Sequence, residues 1–517
     1  MLLFGHSDVP LKKRRYNNHS GDPAGSGWCA GLGEGYSVVF PACSRYVAAL
    51  LWALSMASQA VSADRRADFF DTERYIPAAP GARWQPPFAL PQLPDAQFAK
   101  PAAHPLSLAE LTEFALQNNP RTRQAWYAAR VAAAGIGIER AGDLPRITGT
   151  AILQRSESGG QSGNQVDWLT RYGPAISLTY LLYDFGAGDE RVKAAEYQAL
   201  AAALTSNRAL QEVAFQVEQA YFRYLGFEQL VRSNELFLKS VNTSLDATQR
   251  RREGGLATVA DVYRADTQVA QARLNLTRSR GELEKARGAV ASAAGLPVHE
   301  SLRIQPLPEE PRIQEISASV QDLLARAKAS RPDLIASEAQ VRSARAAADA
   351  ARKSGLPTVS VTAGTGRTFF RHDDPAPFNR NNSILLTLSV PLFNGFETQY
   401  QRRQAEARAA QAEASRDVLT RQTELDVWQS YYDVQTAAGG VSTTEVQLKA
   451  AQQTAEATLA RYKAGFGSLL DLITAQVDES NARVQRIQSY LDWYTALARL
   501  NYSIGVSDIL TVTGAKK

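Results

Sequence analysis

Four short segments of the chain alternate apolar residues with residues that carry a hydroxyl group. They lie at about 146–155, 175–185, 358–370 and 383–393, and each has an apolar face and a Ser/Thr face. A period of two predicts β-strands with one apolar side. The pattern suits a half-buried sheet of a soluble protein. It equally suits strands that cross an outer membrane, where about ten residues suffice for one crossing.

Two very long stretches without proline follow the strands, at 175–296 and from 392 to the end. The first predicts a helix from about Asp189 to Arg252, roughly 96 Å long at about 1.5 Å per residue. No globular core needs such a helix, so its length favours coiled-coil-like packing. The alternative is a stack of shorter helices, with a break in the second stretch at Gly439-Gly440.

Each long helix is expected to reverse at a segment that contains glycine, at 253–258 in the first stretch and at 463–468 in the second. Glycine readily adopts the positive φ that ends a helix. A new helical pattern starts directly after each segment. Both halves of the chain are therefore predicted to contain a long antiparallel helical hairpin with a tight tip.

The halves are related by an internal repeat. Asn119-Pro120 returns as Arg331-Pro332 after 212 residues, and Asp261 returns as Asp471 after 210 residues. Spacing that stays nearly constant over so long a stretch indicates duplication. The predicted organisation is a leader with signal peptide at 1–63, a Pro-rich segment at 64–104, a first repeat at 105–295, a linker at 296–316, a second repeat at 317–505 and a tail at 506–517.

Residues 45–63 are typical of a secretory signal peptide. Arg45 precedes a short apolar run, and Ala60-Val61-Ser62-Ala63 provides small residues for cleavage. An ordinary buried helix is the alternative interpretation. Cys29 and Cys43 both precede the expected cleavage site, so the mature chain is expected to lack cysteine and disulfides.

Composition and motifs narrow the function. With 57 Lys+Arg against 52 Asp+Glu the net charge is only +5, so a nucleic-acid partner is not expected. Mean hydropathy is negative, which excludes a bundle of membrane-spanning helices. His104, His299 and His372 show no metal-ligand spacing, and phosphate-loop and nucleophile-elbow motifs do not occur. We therefore expect no enzyme, no cofactor and no metal site.

Strand number then constrains assembly if the sheet lies in lipid, where an open sheet edge is not tolerated. Four strands cannot close, because the smallest outer-membrane barrels need about eight. Eight strands fill their own interior with side chains, so a conducting pore favours three or more chains. We expect a mainly α protein with a transmembrane β part. Three copies would build a 12-stranded barrel continued by an α-helical tunnel.

The chain resembles the outer-membrane factor (TolC-like) family over roughly residues 105–506. The resemblance is carried by the tip segments 255–262 and 461–472 and by the strand ends 182–186 and 391–395. It implies a homotrimer in the outer-membrane lipid of a Gram-negative bacterium, extending into the periplasm. It also implies two protein partners, a periplasmic adaptor (membrane-fusion) protein and an inner-membrane transporter. The trimer would be a passive exit duct of a tripartite efflux pump or a type I secretion system, for small toxic molecules or exported protein.

The resemblance also implies roles for residues at the tips. Gly255 and Gly465 correspond to glycines that meet the adaptor, and Asp471 corresponds to an acidic ring that narrows the periplasmic entrance. Three copies of such a residue would favour cations. The alternatives are that both glycines serve only the turn and that Asp471 only complements a helix dipole.

Asp261 and Tyr462 match two members of the network that closes the entrance in this family. The Arg of that network, two positions after the tip glycine, is replaced by Gly467 in this chain. The alternatives are that Asp261 only complements a helix dipole and that Tyr462 serves ordinary helix packing. For the whole chain, the competing hypothesis is a soluble periplasmic coiled-coil or adaptor protein without a membrane barrel.

Overall fold

The computed structural model describes residues 104–158, 167–300, 302–306, 318–371 and 378–506. Within these ranges the chain forms eight α-helices and four β-strands. The following predicted segments lie wholly or partly outside the described residues: the leader at 1–63, the Pro-rich segment at 64–104, the linker at 296–316 and the tail at 506–517.

Both repeats have the same order of elements, two shorter helices, two strands and two long helices. The first repeat consists of α1 (Leu108–Asn118), α2 (Pro120–Arg140), β1 (Arg146–Ser158), β2 (Asp167–Tyr183), α3 (Ala187–Glu253) and α4 (Val259–Ala293). The second repeat consists of α5 (Val320–Ser330), α6 (Pro332–Lys353), β3 (Thr358–Arg371), β4 (Asn379–Ser389), α7 (Glu397–Lys463) and α8 (Leu469–Ile504).

Local sequence signals determine the helix boundaries at the start of the first repeat. Ser107 caps α1, since its hydroxyl accepts from the Glu110 amide at 3.3 Å and its own amide donates to the Glu110 carboxylate at 2.9 Å. Asn119 ends α1 and caps α2, and Pro120 takes the first position of α2, where a missing N–H costs nothing. The two helices are therefore separated by one residue only.

The long helices α3 and α7 each contain 67 residues, about 100 Å at the usual rise per residue. Because α7 runs without interruption through Gly439-Gly440, the alternative of stacked shorter helices is wrong. Glycine in a helix costs about 1 kcal/mol. On either side of the glycines, however, Val434 and Val441 are buried in the apolar cluster that α7 shares with α8. Packing of this kind outweighs the local propensity.

Each repeat has an equivalent apolar core where its short first helix meets its hairpin. Leu111 of α1 packs with Val217 of α3 in the first repeat. In the second repeat Leu323 of α5 packs with Val427 of α7, at the corresponding positions. The two cores lie side by side because α3 also packs on α8, and α6 lies between α3 and α7. No helix among the described residues combines the length and apolarity needed to cross a membrane.

The four strands form a single antiparallel sheet in the order β1-β2-β3-β4. The register aligns the apolar positions of all strands, as in the row Ile147–Leu178–Ala363–Ile384. Neighbouring rows place hydroxyl groups and glycines on the other face. In a continuous sheet this alignment gives one apolar face across its whole width.

β1 and β2 are longer than the alternation predicts, because β1 continues to Ser158 rather than residue 155 and β2 already begins at Asp167 rather than residue 175. β3 agrees with its predicted bounds to within one residue and ends at Arg371. Between β3 and β4 side chains pair across the strands, as in the Thr365 hydroxyl bond to Asn382 at 2.8 Å. β4 is shifted along the chain, because it begins at Asn379 rather than near residue 383 and ends at Ser389 rather than near residue 393. Pro391 lacks the N–H that a continued ladder requires.

Candidate functional site: the hairpin tips and the apolar sheet

Both hairpin tips are closed by the same backbone motif. Gly255 and Gly465 have φ of 73° and 87°. The next amide, that of Leu256 or Phe466, donates back into the last helical turn at 2.7 and 2.9 Å respectively. This is the Schellman arrangement, which favours glycine for its positive φ. Crowding does not require glycine at these positions, since a Cβ at either glycine would meet nothing within 4 Å.

The tips expose apolar side chains. Leu256 is 72% exposed and Phe466, its counterpart in the second repeat, is 82% exposed. In a Schellman motif the residue after the glycine commonly packs back on its own helix. Here both side chains are largely exposed in the single chain. The tips therefore present apolar groups beside the glycines that the sequence indicates for adaptor docking.

The two tip aspartates differ in their contacts. The Asp261 carboxylate accepts from the Thr258 amide at 2.9 Å and from the Thr258 hydroxyl at 2.7 Å, which completes a capping box at the start of α4. These bonds lower the pKa of Asp261. At the start of α8 only the amide of Asp471 is engaged, by the Ser468 hydroxyl at 3.1 Å. The Asp471 carboxylate is exposed.

Tyr462 connects the two hairpins near their tips. It is 3% exposed, and its hydroxyl lies 2.9 Å from the Thr248 hydroxyl of α3. Because Thr248 donates its own proton to the Ser244 carbonyl at 2.8 Å, the tyrosine hydroxyl is the donor. Tyr462 thus joins the end of α7 to the end of α3.

Arg251 completes this connection, and the sequence analysis missed it. Its guanidinium carbon lies 4.6 Å from the centre of the Tyr462 ring, and its Nη1 donates to the Tyr462 carbonyl. The same charge contributes to the lowered pKa of Asp261. Arg251 therefore lies between the two residues predicted for the closing network, which share no hydrogen bond with each other. The sequence signal that could have identified Arg251 is the internal repeat, because its counterpart Arg461 is also an arginine.

Gly467 has little room for the arginine that the family carries at this position. A Cβ there would lie 3.1 Å from the Tyr462 amide nitrogen, closer than most Cβ contacts. We therefore define the tip latch of this chain as Tyr462, Thr248 and Arg251. Deeper along the hairpins, Gln476 of α8 donates to the hydroxyls of Ser240 and Ser244 of α3, each at 2.8 Å.

At the other end of the molecule, the apolar face of the sheet is not covered by any described element. Ile147 is 68% and Ile384 83% exposed, which contradicts a half-buried soluble sheet. The hydrogen-bonding edges of β1 and β4 also remain without a partner among the described residues. In lipid, an apolar face belongs outside, but an open edge requires a further strand.

Aromatic side chains border the apolar face at both ends. Tyr172 stacks on Phe369 at 5.4 Å toward the β1–β2 and β3–β4 loops. Tyr183 and Phe185 form a ring pair at 4.7 Å where the strands meet the helices. Eleven residues separate Tyr172 from Tyr183, about 36 Å of strand and roughly 28 Å of height at a tilt of about 40°. Aromatic borders around such a band are typical of outer-membrane proteins.

A metal-binding site has little support in the part of the chain that the structure describes. No group of three or more His, Cys, Asp or Glu residues there has the arrangement to hold a metal ion. The buried charges mainly form structural pairs, as where Arg331 donates to Asp333 at 2.6 Å at the start of α6.

The exposed apolar sheet and the long helical hairpins define a class of protein, the outer-membrane channel with a helical extension. The chain belongs to the outer membrane efflux protein family, whose profile matches residues 111–296 and 323–506. It is therefore a channel component of bacterial efflux or secretion systems, located in the outer membrane of Gram-negative bacteria. Members of this family are transport proteins. The competing hypothesis of a soluble adaptor is wrong.

Individual relatives are similar to this chain over most of its length. Protein CyaE of Bordetella pertussis is 28% identical, over 79% of this chain and 84% of its own length. The alkaline protease secretion protein AprF of Pseudomonas aeruginosa is 27% identical, over 78% of this chain and 86% of its own. The crystal structure of the outer membrane protein VceC of Vibrio cholerae matches with a TM-score of 0.67 at 22% identity, over 77% of this chain and 96% of that one. This likeness confirms the predicted fold.

Proposed function

We propose that three copies of the chain form a passive exit duct, with a 12-stranded barrel in the outer membrane and a helical tunnel below it. The single observation that carries this proposal is the four-stranded sheet with a bare apolar face and two unpaired edges. Each edge would pair with the sheet of a neighbouring copy, which removes all open edges from the lipid. Eight strands would leave no open lumen, and twelve are the next multiple of four.

The test is the state of the protein extracted from outer membranes. We expect native mass spectrometry in detergent to give three copies, and planar bilayers to show ion conductance. A water-soluble monomer would contradict both the barrel and the duct. The chain itself is proposed to have no catalytic role, so the energy for export must come from a partner.

The hairpin tips are proposed to dock on a periplasmic adaptor that couples the duct to an inner-membrane transporter. Gly255 and Gly465 shape the turns, and the exposed Leu256 and Phe466 supply apolar contact area. Phe466→Asp should abolish export and leave the trimer intact, and Gly465→Trp should do the same. Leu236→Asp, at a 54% exposed site far from the tip, is the control. Normal export by Phe466→Asp would contradict docking at the tips.

Asp471 is proposed to form an acidic ring at the periplasmic entrance, because its carboxylate is exposed and takes no part in its helix cap. The ring would attract cations. Asp471→Asn should reduce the cation preference of the bilayer conductance. Asp261→Asn should leave that preference nearly unchanged, since the Asp261 carboxylate is bound in its capping box.

The latch of Tyr462, Thr248 and Arg251 is proposed to hold the entrance closed, with Asp261 as a neighbouring charge. Breaking it would let one hairpin move away from the other, a two-state change that adaptor binding biases.

Either efflux or secretion is compatible with this mechanism: the family is named for efflux, and AprF is named for secretion of a protease. An export survey after gene deletion distinguishes small-molecule from protein cargo.

A further inference from the structure

Two arginines lie directly opposite each other on the apolar face of the sheet. Arg367 of β3 pairs with Arg380 of β4. They share a face with Ala363 and Ile384 of the apolar row, because each arginine is four residues along its strand from that row and side chains on one face recur every two residues. Both arginine side chains are exposed. The face that is proposed to meet lipid therefore carries two adjacent positive charges.

The arginine pair lies at the outer end of the apolar band, beside its aromatic border. Phe369 stacks on Tyr172, and Phe378 lies 6.0 Å from Phe369. Arg367 precedes Phe369 by two residues, which is about 7 Å of strand and roughly 5 Å of height at a tilt of about 40°. The loops at this end of the sheet are opposite the long helices, so the arginines would face the outer leaflet of the membrane.

Contacts among the described residues hold Arg367 in place but do not neutralise the pair. The guanidinium carbon of Arg367 lies 5.6 Å from the centre of the Phe378 ring, a cation–π contact that keeps the full charge. No carboxylate in the described ranges forms an ion pair with Arg367 or Arg380. Like charges directly opposite each other destabilise a sheet, and cations on a lipid-facing strand are costly. An anion between the two guanidinium groups would remove both penalties.

The internal repeat shows that the sheet does not require this pair. The counterparts of Arg367 and Arg380 are Arg155 and Thr170, 212 and 210 positions earlier, and they pair in the same way between β1 and β2. The first β-hairpin therefore carries one arginine where the second carries two, although the register of both is the same. The doubled charge indicates a local role of the second β-hairpin.

A groove of about 600 Å³ lies on the same face, next to the arginines on the side of the helices. Its lining includes the small Ala363 between the larger Leu178 and Ile384, which are the neighbours of Ala363 in its row. In the row between Ala363 and the arginines, the Thr365 hydroxyl donates to the Asn382 side chain at 2.8 Å. An apolar groove with a polar end suits a hydrocarbon chain whose headgroup lies at the arginines.

We propose that this face binds a phosphate-bearing lipid of the outer leaflet, with a phosphate between Arg367 and Arg380 and an acyl chain in the groove over Ala363. Arginine suits a phosphate because its planar guanidinium donates two parallel hydrogen bonds to it. Directly opposite residues, with Cβ atoms about 5 Å apart, bring both guanidinium groups within reach of one phosphate. This inference rests on the proposed barrel and adds a lipid site to its outer surface.

Native mass spectrometry of the delipidated protein in detergent tests the site. The probe is lipid A with two phosphates, an acylated glycolipid, and the comparison is the same lipid without phosphate. Arg367→Gln combined with Arg380→Gln should weaken binding of the phosphorylated lipid at least tenfold and leave that of the phosphate-free lipid unchanged. Arg171→Gln is the matched control, because Arg171 lies at nearly the same height on the other face, where it donates to Gln154 at 2.8 Å. This control should bind lipid A like the unmodified protein.

A second variant tests the groove separately from the charges. Ala363→Trp fills the groove and keeps both arginines, so it should weaken binding of lipid A severalfold. Unchanged binding by this variant would overturn the place of the acyl chain. An equal amount of phosphatidylglycerol should displace only a minor part of the bound lipid A. Full displacement would assign the site to a phospholipid and overturn the outer-leaflet occupant.

The mass of the complex separates the remaining failures. A trimer whose double arginine variant keeps lipid A as well as the unmodified protein would overturn the site while the barrel stands. A monomer would overturn both the site and the proposed function. Asp373 and Asp374 lie outside the described residues. Lipid binding that appears only after Asp373→Asn and Asp374→Asn would mean that the chain neutralises its own arginines, which would also overturn the site.

Discussion

The hairpin α3–α4 and the hairpin α7–α8 have the same backbone but different surroundings. Their long helices have equal length, and their tips have the same glycine turn. Yet α3 covers its aromatic face with α8 of the same chain and so forms a seam between the two hairpins, whereas Trp428 and Tyr432 on the corresponding face of α7 stay exposed in the single chain. Duplication of one hairpin produces two equivalent seams. Only one of them is closed within a single chain.

The tips differ in a similar way. Thr248 and Arg251 of α3 correspond to Thr458 and Arg461 of α7, so both hairpins carry the same Thr–Arg pair. Tyr462 engages the pair on α3, but its own counterpart is Arg252. In the proposed trimer, the internal repeat would place Arg252 of one copy near Arg461 of the next, where like charges repel. The contacts of a tyrosine with the Thr–Arg pair are therefore made within the chain and have no counterpart between copies.

The largest effect is expected where the closed seam is tightest. Gly226→Leu would place a side chain where a Cβ already lies 2.2 Å from Leu491, and overpacking of this kind costs about 1–3 kcal/mol or more. We expect a clear fall in the thermal unfolding midpoint, followed by the helical circular dichroism signal.

Gly137→Leu is the matched control, because Gly137 is helical and has open space around its Cβ position. There the gain in helix propensity of up to about 1 kcal/mol should dominate. If the two variants unfold at the same temperature, the closed seam does not depend on the approach at Gly226.

Much of this architecture is readable from the sequence, because period-two alternation, proline-free stretches and glycine turns are local signals. The capping box of Asp261 is of this kind, since Thr258 stands three residues before it. The latch is not. Arg251 and Tyr462 are 211 residues apart, and only the packing of the two hairpins brings them together. The continuity of α7 through Gly439-Gly440 likewise depends on tertiary contacts of the neighbouring valines.

The second largest effect is expected from the latch. Tyr462→Phe removes the hydrogen bond to Thr248, worth about 1 kcal/mol, which shifts a closed–open equilibrium roughly fivefold per chain. Arg251→Met removes the contact over the ring and the bond to the Tyr462 carbonyl, so its shift should be larger. Single-channel recordings should show more time in the open state.

Tyr263→Phe controls for the loss of a tyrosine hydroxyl near the tip, since Tyr263 is 68% exposed. Its open time should match that of the unmodified protein. An unchanged open time for both latch variants would mean that Tyr462 serves helix packing alone.

An effect of comparable size and opposite sign is expected from building an equivalent contact between neighbouring copies of the proposed trimer. Arg252→Tyr would place a tyrosine at the counterpart of Tyr462, beside Thr458 and Arg461 of the neighbouring copy. It also removes a like-charge contact. One hydrogen bond and one contact with the guanidinium, about 1 kcal/mol each, should lengthen the closed state. Arg252→Phe lacks the hydroxyl and should give part of the effect. An open time that rises instead would contradict the placement of Arg252 beside Thr458 and Arg461 of a neighbouring copy.

The smallest effect concerns helix stability at acidic pH, and it distinguishes the cap at the start of α4 from the cap at the start of α8. Hydrogen bonds from Thr258 lower the pKa of Asp261 below its ordinary value of 3.8. The cap therefore contributes stability above that value, and the contribution is lost as the pH falls through the lowered pKa. Amide exchange in the first turn of α4, corrected for its intrinsic pH dependence, should accelerate a few-fold on acidification below about pH 4. Asp261→Asn should exchange fast at every pH. The first turn of α8, capped by the Ser468 hydroxyl, is the internal reference, and an equal acceleration there would exclude Asp261 as the cause.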